Sequence, residues 1–172
     1  MESRLAEDQV LILTDNGIRA DGKIACFIAC TWRRPELSQP ALAGWAVERI
    51  YDDRFDQAFI RKTLPGLVLN NQWWLGHRMT QYGVISCPQG VESGWDNSPR
   101  WDRGPILATD MNTWLLMQLR TTVRFARLLG DDEIATRTQV EADSLASAMM
   151  DVLYDYDKNI FRDVVVATGE PV

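Results

Sequence analysis

With 172 residues, 46% of them apolar and 24% charged, the chain is long enough to bury one substantial core and has the composition of a folded globular domain. Asp and Glu outnumber Lys and Arg 24 to 18, a formal charge of -6 with no basic stripe, which argues against a nucleic-acid backbone as partner. No apolar run reaches about 18 residues and the opening MESRLAEDQV lacks the pattern of a signal peptide, so the expectation is a cytoplasmic protein with no membrane span.

VLILT (10–14) and KIACFIAC (23–30) are short apolar runs parted by the turn signals DNG and ADG, and residues 1–35 read as an extended arm or hairpin. Cys26, Cys30 and Cys87 are an odd number without a second pair at metal-ligand spacing; free or buried thiols are expected, with no metal site and no cofactor. SQPALAGWAVERIYDD (38–53) carries the first strong helix signal, with Ser38 as N-cap, Pro40 in the first turn, and Ala41, Trp45 and Ile50 near one face.

A second helix over about 55–79 contains Pro65-Gly66, which predicts a break or kink just before Pro65. Beyond it Leu67, Val68, Asn71, Trp74, Leu75 and Arg78 give a face of mixed polarity, suited to lining a cavity or edging a core. The lone histidine, His77, also falls here, which leaves no multi-histidine site.

Residues 80–106 show no hydrophobic period, and a loop of this length in a compact domain is more often functional than not. The helical period returns at 106–129 with Leu107, Met111, Leu115, Leu119, Val123 and Ala126. Gly130 ends it, and Asp131 or Asp132 caps the next helix, 133–155, whose apolar residues include Val140, Leu145, Met149 and Val152. The short link makes the two an antiparallel hairpin, and the tail extends without a further helix. The fold class is all-α: paired long helices, with the most polar loop between the pairs.

That loop holds GVESGWDNSPRWDRG (90–104), in which Glu92, Asp96 and Asp102 are interleaved with Arg100, Arg103, Trp95 and Trp101. Carboxylates among tryptophans suit glycoside hydrolysis. One acid must stay protonated near neutral pH to donate to the leaving oxygen, and apolar walls favour the uncharged form. Asp96 follows Trp95 directly, Gly94 permits close backbone approach to a ligand, and Glu92, Arg100, Asp102 and Arg103 can frame the site. The plainer alternative is that Asp96 caps the turn at Asn97-Ser98-Pro99 while Arg100 and Asp102 form an internal ion pair. The seven tryptophans fit either a large core or a groove with flat apolar walls.

SGWDNSPRWD resembles the signature of the (α/α)6-barrel glycoside hydrolases of family 63 and their mannosylglycerate hydrolase relatives, and is similar to the SGWD-containing motif of trehalases. SQPALAGWAV and WWLGHR upstream and ATDMNTWLLMQ downstream resemble segments of the same enzymes in the same order, so that the likeness runs over about residues 33–163.

The resemblance implies a partial (α/α)6 toroid with a short N-terminal arm (1–35) ahead of a glycosidase domain (36–172), and an inverting α-glycosidase activity on an α-glucoside or α-mannoside. Asp96 would be the general acid, Gly94 and Trp95 would shape a sugar subsite, and Gln39 would bind a hydroxyl. Glu92 and Asn97 are further candidate sugar contacts, and Trp45 and Trp73 or Trp74 candidate stacking walls. Leu37 stands where trehalases typically have Arg before Ser-Gln-Pro-Pro, and Ala41 replaces the second proline, which disfavours trehalose.

In these families the catalytic base lies well downstream of the acid. Asp102 belongs to the signature's own frame and Asp110 matches a structural helix-start Asp, so neither is expected to replace it. The chain thus resembles the central portion of a catalytic domain, with self-association or a second chain supplying the missing helices as expected partners beside the carbohydrate substrate. A noncatalytic carbohydrate-binding or helical interaction module is the alternative.

Overall fold

The computed structural model describes residues 2–26 and 37–172. Among these the chain is built on five α-helices: α1 (Glu2–Ile12), α2 (Ala43–Arg54), α3 (Gln57–His77), α4 (Thr109–Leu129) and α5 (Asp132–Val152). Four two-residue strands make two small antiparallel ladders, β1 (Ile106–Leu107) with β4 (Val164–Val165) and β2 (Tyr154–Asp155) with β3 (Ile160–Phe161). The all-α class therefore stands. No described helix is long and apolar enough to cross a membrane.

The amphipathic pattern of α4 makes it the central element. Its buried Met111, Leu115 and Leu119 join Trp73 and Trp74 of α3, Leu145 and Met149 of α5, and the β1–β4 ladder in one apolar cluster. Its other half, Phe125 and Ala126, meets Val10 of α1, Val47 and Tyr51 of α2 and Ile60, Leu64 and Leu67 of α3 in a second. Gly130, at φ +76, ends the helix in a left-handed cap, and Asp131 opens α5 by accepting the Ile134 N–H at 3.0 Å. The α4–α5 hairpin is thus as the sequence dictates, except that β1 takes the first residues and Val140 faces solvent, its core place taken by Ala142 and Ala135.

Residues 2–17 depart from the expected arm. VLILT lies in α1 and in a wider π turn over Leu13–Gly17, because burial of Val10 against α2 and α3 outweighs the β preference of the run. Among the described residues the hairpin is represented by the bridges Ile18↔Ile24 and Ala25↔Ser38. Residues 27–30 of the second apolar run, Cys30 with them, and the expected boundary after residue 35 lie outside the described residues.

Two further expectations are corrected. Ser38 does not cap α2, which begins at Ala43; its hydroxyl donates to the Ile24 carbonyl at 3.1 Å, and the helix buries Ala43, Gly44, Val47 and Tyr51 rather than Trp45 and Ile50. Nor does Pro65 break α3. The helix runs unbroken because its core face holds it on both sides of the proline, and Gly66 serves packing: a Cβ there would lie 3.1 Å from Thr14 Cβ and from Ile18 Cδ1.

Of the mixed face of α3, Val68 borders an open hollow of about 600 Å³ with Leu64, Pro65 and Ile134, whereas Leu67 and Trp74 are core residues. Asn70 and Asn71 are buried against α4, where Gln118 Nε2 donates to both side-chain carbonyls at 2.9 Å, while Asn71 Nδ2 donates to Thr122 Oγ1 at 2.9 Å and Asn70 Nδ2 to the Gly22 carbonyl at 2.8 Å. Such a satisfied polar network fixes the register of the helices it joins.

Candidate active site

The loop between α3 and α4 is ordered by its own short-range bonds. A single 3-10 turn, Gly90–Glu92, is followed by Ser93, whose hydroxyl donates to the Gly90 carbonyl at 2.9 Å and accepts the Trp95 N–H at 3.3 Å. Gly94 turns the chain at φ +74. The Trp95 carbonyl then accepts both the Ser98 N–H at 3.1 Å and the Trp101 indole N–H at 3.2 Å, closing the turn that carries Asp96 and Asn97. Gly90 is required underneath, since a Cβ there would lie 2.7 Å from the Trp95 carbonyl oxygen.

Asp96 is exposed, and among the described residues its carboxylate takes part in no hydrogen bond or ion pair. The turn is closed by backbone groups, so Asp96 does not cap it. Nor is the carboxyl covered by apolar walls, as the sequence leads one to expect. The Trp101 ring is taken by Arg100, whose Cζ lies 4.8 Å from its centroid, and Trp95 is 62% exposed.

Below the turn Arg100 gathers the charges. Its Nη2 donates to Asp110 Oδ2 at 2.7 Å and Ser93 Oγ at 3.1 Å, and its Nη1 donates to Asp163 Oδ2 at 2.9 Å. The expected Arg100–Asp102 pair is absent; Asp102 is exposed. Although burial opposes its charge, the two carboxylates hold Arg100 above its ordinary value. Asp163 Oδ1 accepts the Thr109 N–H at 2.7 Å and Asp110 Oδ1 the Met111 N–H at 2.8 Å, so both acids also sit on the amides that open α4. Trp95, Ser98, Arg100, Thr109, Asp110 and Asp163 line an open hollow of about 420 Å³.

Glu92 is placed differently from its expectation. It is fully buried, accepting the Ser38 N–H at 2.9 Å and a charged bond from Arg78 at the end of α3. Burial pushes its carboxyl above the usual range, Arg78 and the Ser38 amide opposing. Lys23 lies close by, its ammonium 5.3 Å from the centroid of Trp73 and its value lowered by burial and then by Arg78. Through Oε1 the enclosed carboxylate ties the N-terminal segment to the loop, while its Oε2 is buried without a partner among the described residues.

Gln39, beside Ser38, directs its amide to the Cys26 carbonyl and lines a second hollow of about 390 Å³ with Pro40, Leu42 and the half-exposed Trp45. The structure thus brings Gly94, Trp95, Asp96 and the exposed Asn97 onto one turn and sets Gln39 in a different hollow. Trp73 and Trp74 are core residues rather than walls. Among the described residues no three His, Cys, Asp or Glu side chains are grouped to hold a metal ion. Nothing in the sequence pointed to Asp163, which reaches the loop from 63 residues beyond Arg100; nor did any local pattern single out Ser93, or pair Arg78 with Glu92.

The Mannosylglycerate hydrolase MGH1-like glycoside hydrolase domain matches residues 2–172. The chain belongs to this family. A solved mannosylglycerate hydrolase-like relative, the family 63 mannosylglycerate hydrolase of Thermus thermophilus in complex with glucose, superposes with a TM-score of 0.86 at 16% identity, covering 100% of this chain and 60% of that one. The family 78 rhamnosidase of Bacillus sp. GL1 superposes at 0.71 and 18% identity, covering 98% of this chain and 17% of that one. These likenesses establish the fold as a partial (α/α)6 array. Trehalase of Dictyostelium discoideum is 23% identical over 190 residues, and a probable trehalase of Oryza sativa subsp. japonica 21% over 184. The match takes in 77% and 76% of this MGH1-like chain but only 32% and 33% of those proteins, so it spans about a third of their length.

Proposed function

We propose that the chain carries the general-acid portion of an inverting α-glycosidase site acting on an α-glucoside or α-mannoside, with Asp96 donating the proton to the departing oxygen. One observation carries this reading. Asp110 and Asp163, which line the hollow, are committed to Arg100 and to backbone amides, while Asp96, on the turn whose Trp95 and Ser98 line it, has no partner among the described residues. An acid that must meet a substrate oxygen needs its carboxyl free, and this one is.

Inversion requires a second carboxylate roughly 6.5–9.5 Å away, with a water between the two. Asp110 and Asp163 are unsuited to that role, because both oxygens of each are already engaged by Arg100 and by the backbone amides that open α4. The base and the apolar cover over Asp96 then come from outside the described residues, on further chain or on a second one. Gly94 leaves the backbone open for close approach, with no atom within 4 Å of a Cβ built on it, and Trp95 presents a ring face beside the acid. Asn97 stands next to it as a hydroxyl contact, and Gln39 serves a more distant part of the substrate.

The test is to supply α-glucosides and α-mannosides to the chain, alone and extended to the length of its relatives' domain. The anomer first released is read by proton NMR. Inversion in the native protein and its loss in Asp96→Asn is the expected result; hydrolysis that survives Asp96→Asn unchanged overturns the assignment. The exposed rings of Trp95 and Trp45 favour a second reading, a carbohydrate-binding module without hydrolysis. Quenching of tryptophan fluorescence by disaccharides with no sugar released is the outcome that selects it.

A further inference from the structure

The Asp96 side chain is free, yet the residue before it, Trp95, is braced at both its N–H and its carbonyl, and the two braces meet at one residue. On the upstream side Ser93 Oγ holds the Trp95 N–H and also accepts from Arg100. Downstream the Trp95 carbonyl is held by the Trp101 indole, and the Arg100 guanidinium lies over that indole's ring. Arg100 therefore touches both side chains that hold Trp95, the residue that opens the turn to Ser98.

Its remaining contacts leave the loop. Nη2 reaches Asp110 on the first turn of α4, and Nη1 reaches Asp163 in the tail. Asp163 is itself fixed: its second oxygen holds the Thr109 N–H, and the residues that follow it pair with β1. The guanidinium is planar and presents its donors in a rigid fork, so two carboxylates and a hydroxyl around it fix its plane as well as its position, which a lysine ammonium does not do.

We propose that Arg100, anchored by Asp163, is the positioning residue for Asp96, setting the place of the turn relative to the start of α4 so that the acid is offered at one point. The proposal rests on the reading of Asp96 as the acid. A direct substrate contact by Arg100 is disfavoured by its commitments, since Nη1 and Nη2 are both engaged and Nε is buried. The consequence for catalysis is large, because misplacing a reacting group by about 1 Å can cost 10²-fold in rate.

The test uses the 172-residue chain and reads order in the loop by ¹⁵N relaxation, with Arg100→Gln, Asp163→Asn and the milder Ser93→Ala. In the native chain the amides of Trp95, Asp96, Asn97 and Ser98 are expected to have order parameters near about 0.85, as in the helices. In Arg100→Gln and Asp163→Asn they fall below about 0.6 while α4 and α5 keep theirs. Ser93→Ala gives a smaller fall confined to the same amides. Glu170→Gln removes the exposed Arg103–Glu170 pair, a second tie between loop and tail, and leaves the turn ordered.

A turn already mobile in the native chain overturns the proposal, as does one that stays ordered in all three variants. Loss of order spread equally through α4 and α5 would make Arg100 a general brace and overturn it too; Ser93→Ala decides the matter if the stronger variants unfold. The readout is independent of hydrolysis. Should Asp96→Asn prove without effect on activity, the glycosidase reading fails while the loop measurement still stands or falls by itself.

Discussion

Gly44 and Gln118 occupy each other's space. The Gly44 N–H donates to Gln118 Oε1 at 3.0 Å, and a Cβ at position 44 would lie 2.8 Å from Gln118 Cγ. α2 can approach α4 this closely only because residue 44 has no side chain. Gly44→Ala is therefore expected to destabilise the fold by about 1–3 kcal/mol through overpacking. Gln118→Leu should cost at least about 2 kcal/mol, since it strips the buried Gly44 amide and the two asparagine carbonyls of partners. Urea unfolding of both variants checks this; a midpoint unchanged in Gln118→Leu would show that the network contributes nothing.

This pair also marks where the sequence stops speaking. The apolar period of α4 and the Gly130-Asp131 link are local, and both were legible because helix propensity, capping and burial all favour the same answer there. Gln118 reads as an unremarkable polar residue on that helix, and its role exists only once Gly44, Asn70 and Asn71 arrive from elsewhere. The site divides in the same way. Gly94, Trp95 and Asp96 announce themselves by type and order, whereas the burial of Glu92 depends on Ser38 and Arg78, and the commitment of Arg100 on Asp163. At the N-terminus the local signal misled: VLILT has β-branched residues, but the face that Val10 buries against α2 and α3 is worth more than that preference.

Glu92 makes stability depend on pH in a stated direction. Burial holds its carboxyl above the usual 4.5, so the folded chain binds this proton more tightly than the unfolded one. The contribution to stability is accordingly largest below 4.5 and declines as pH rises through the raised value. The groups that face it are Arg78 from α3 and Lys23 and the Ser38 amide from the N-terminal segment, and all three oppose the shift without reversing it. Unfolding midpoints from about pH 4 upward should fall less steeply in Glu92→Gln than in the native chain. Glu141, also raised by burial, acts with the same sign, so Glu141→Gln is the reference. Parallel curves for Glu92→Gln and native would refute the account.

Asp56 opens α3 by accepting the Ala58 N–H at 2.8 Å and the Phe59 N–H at 3.4 Å. Asp56→Ala leaves both amides to water and should cost about 1 kcal/mol, and Asp56→Ser should recover most of it. Thermal unfolding of the two variants gives the comparison. An equal loss in both would assign the effect to the charge at the helix start and not to the side-chain cap.

Asp96 and Arg100 are expected to part company in stability and activity. Asp96 has no partner among the described residues, so Asp96→Asn should leave the unfolding free energy within about 0.5 kcal/mol of native. In a preparation that hydrolyses glycosides it should lower the rate about 10²–10⁴-fold, the range of a lost general acid. Arg100→Gln removes a guanidinium bound to two carboxylates and a hydroxyl. It should lower stability as well, since Asp110 and Asp163 lose the cation between them. Measured side by side, a destabilised Asp96→Asn would place the carboxyl in a structural contact, and the assignment of this residue to proton transfer would lose its basis.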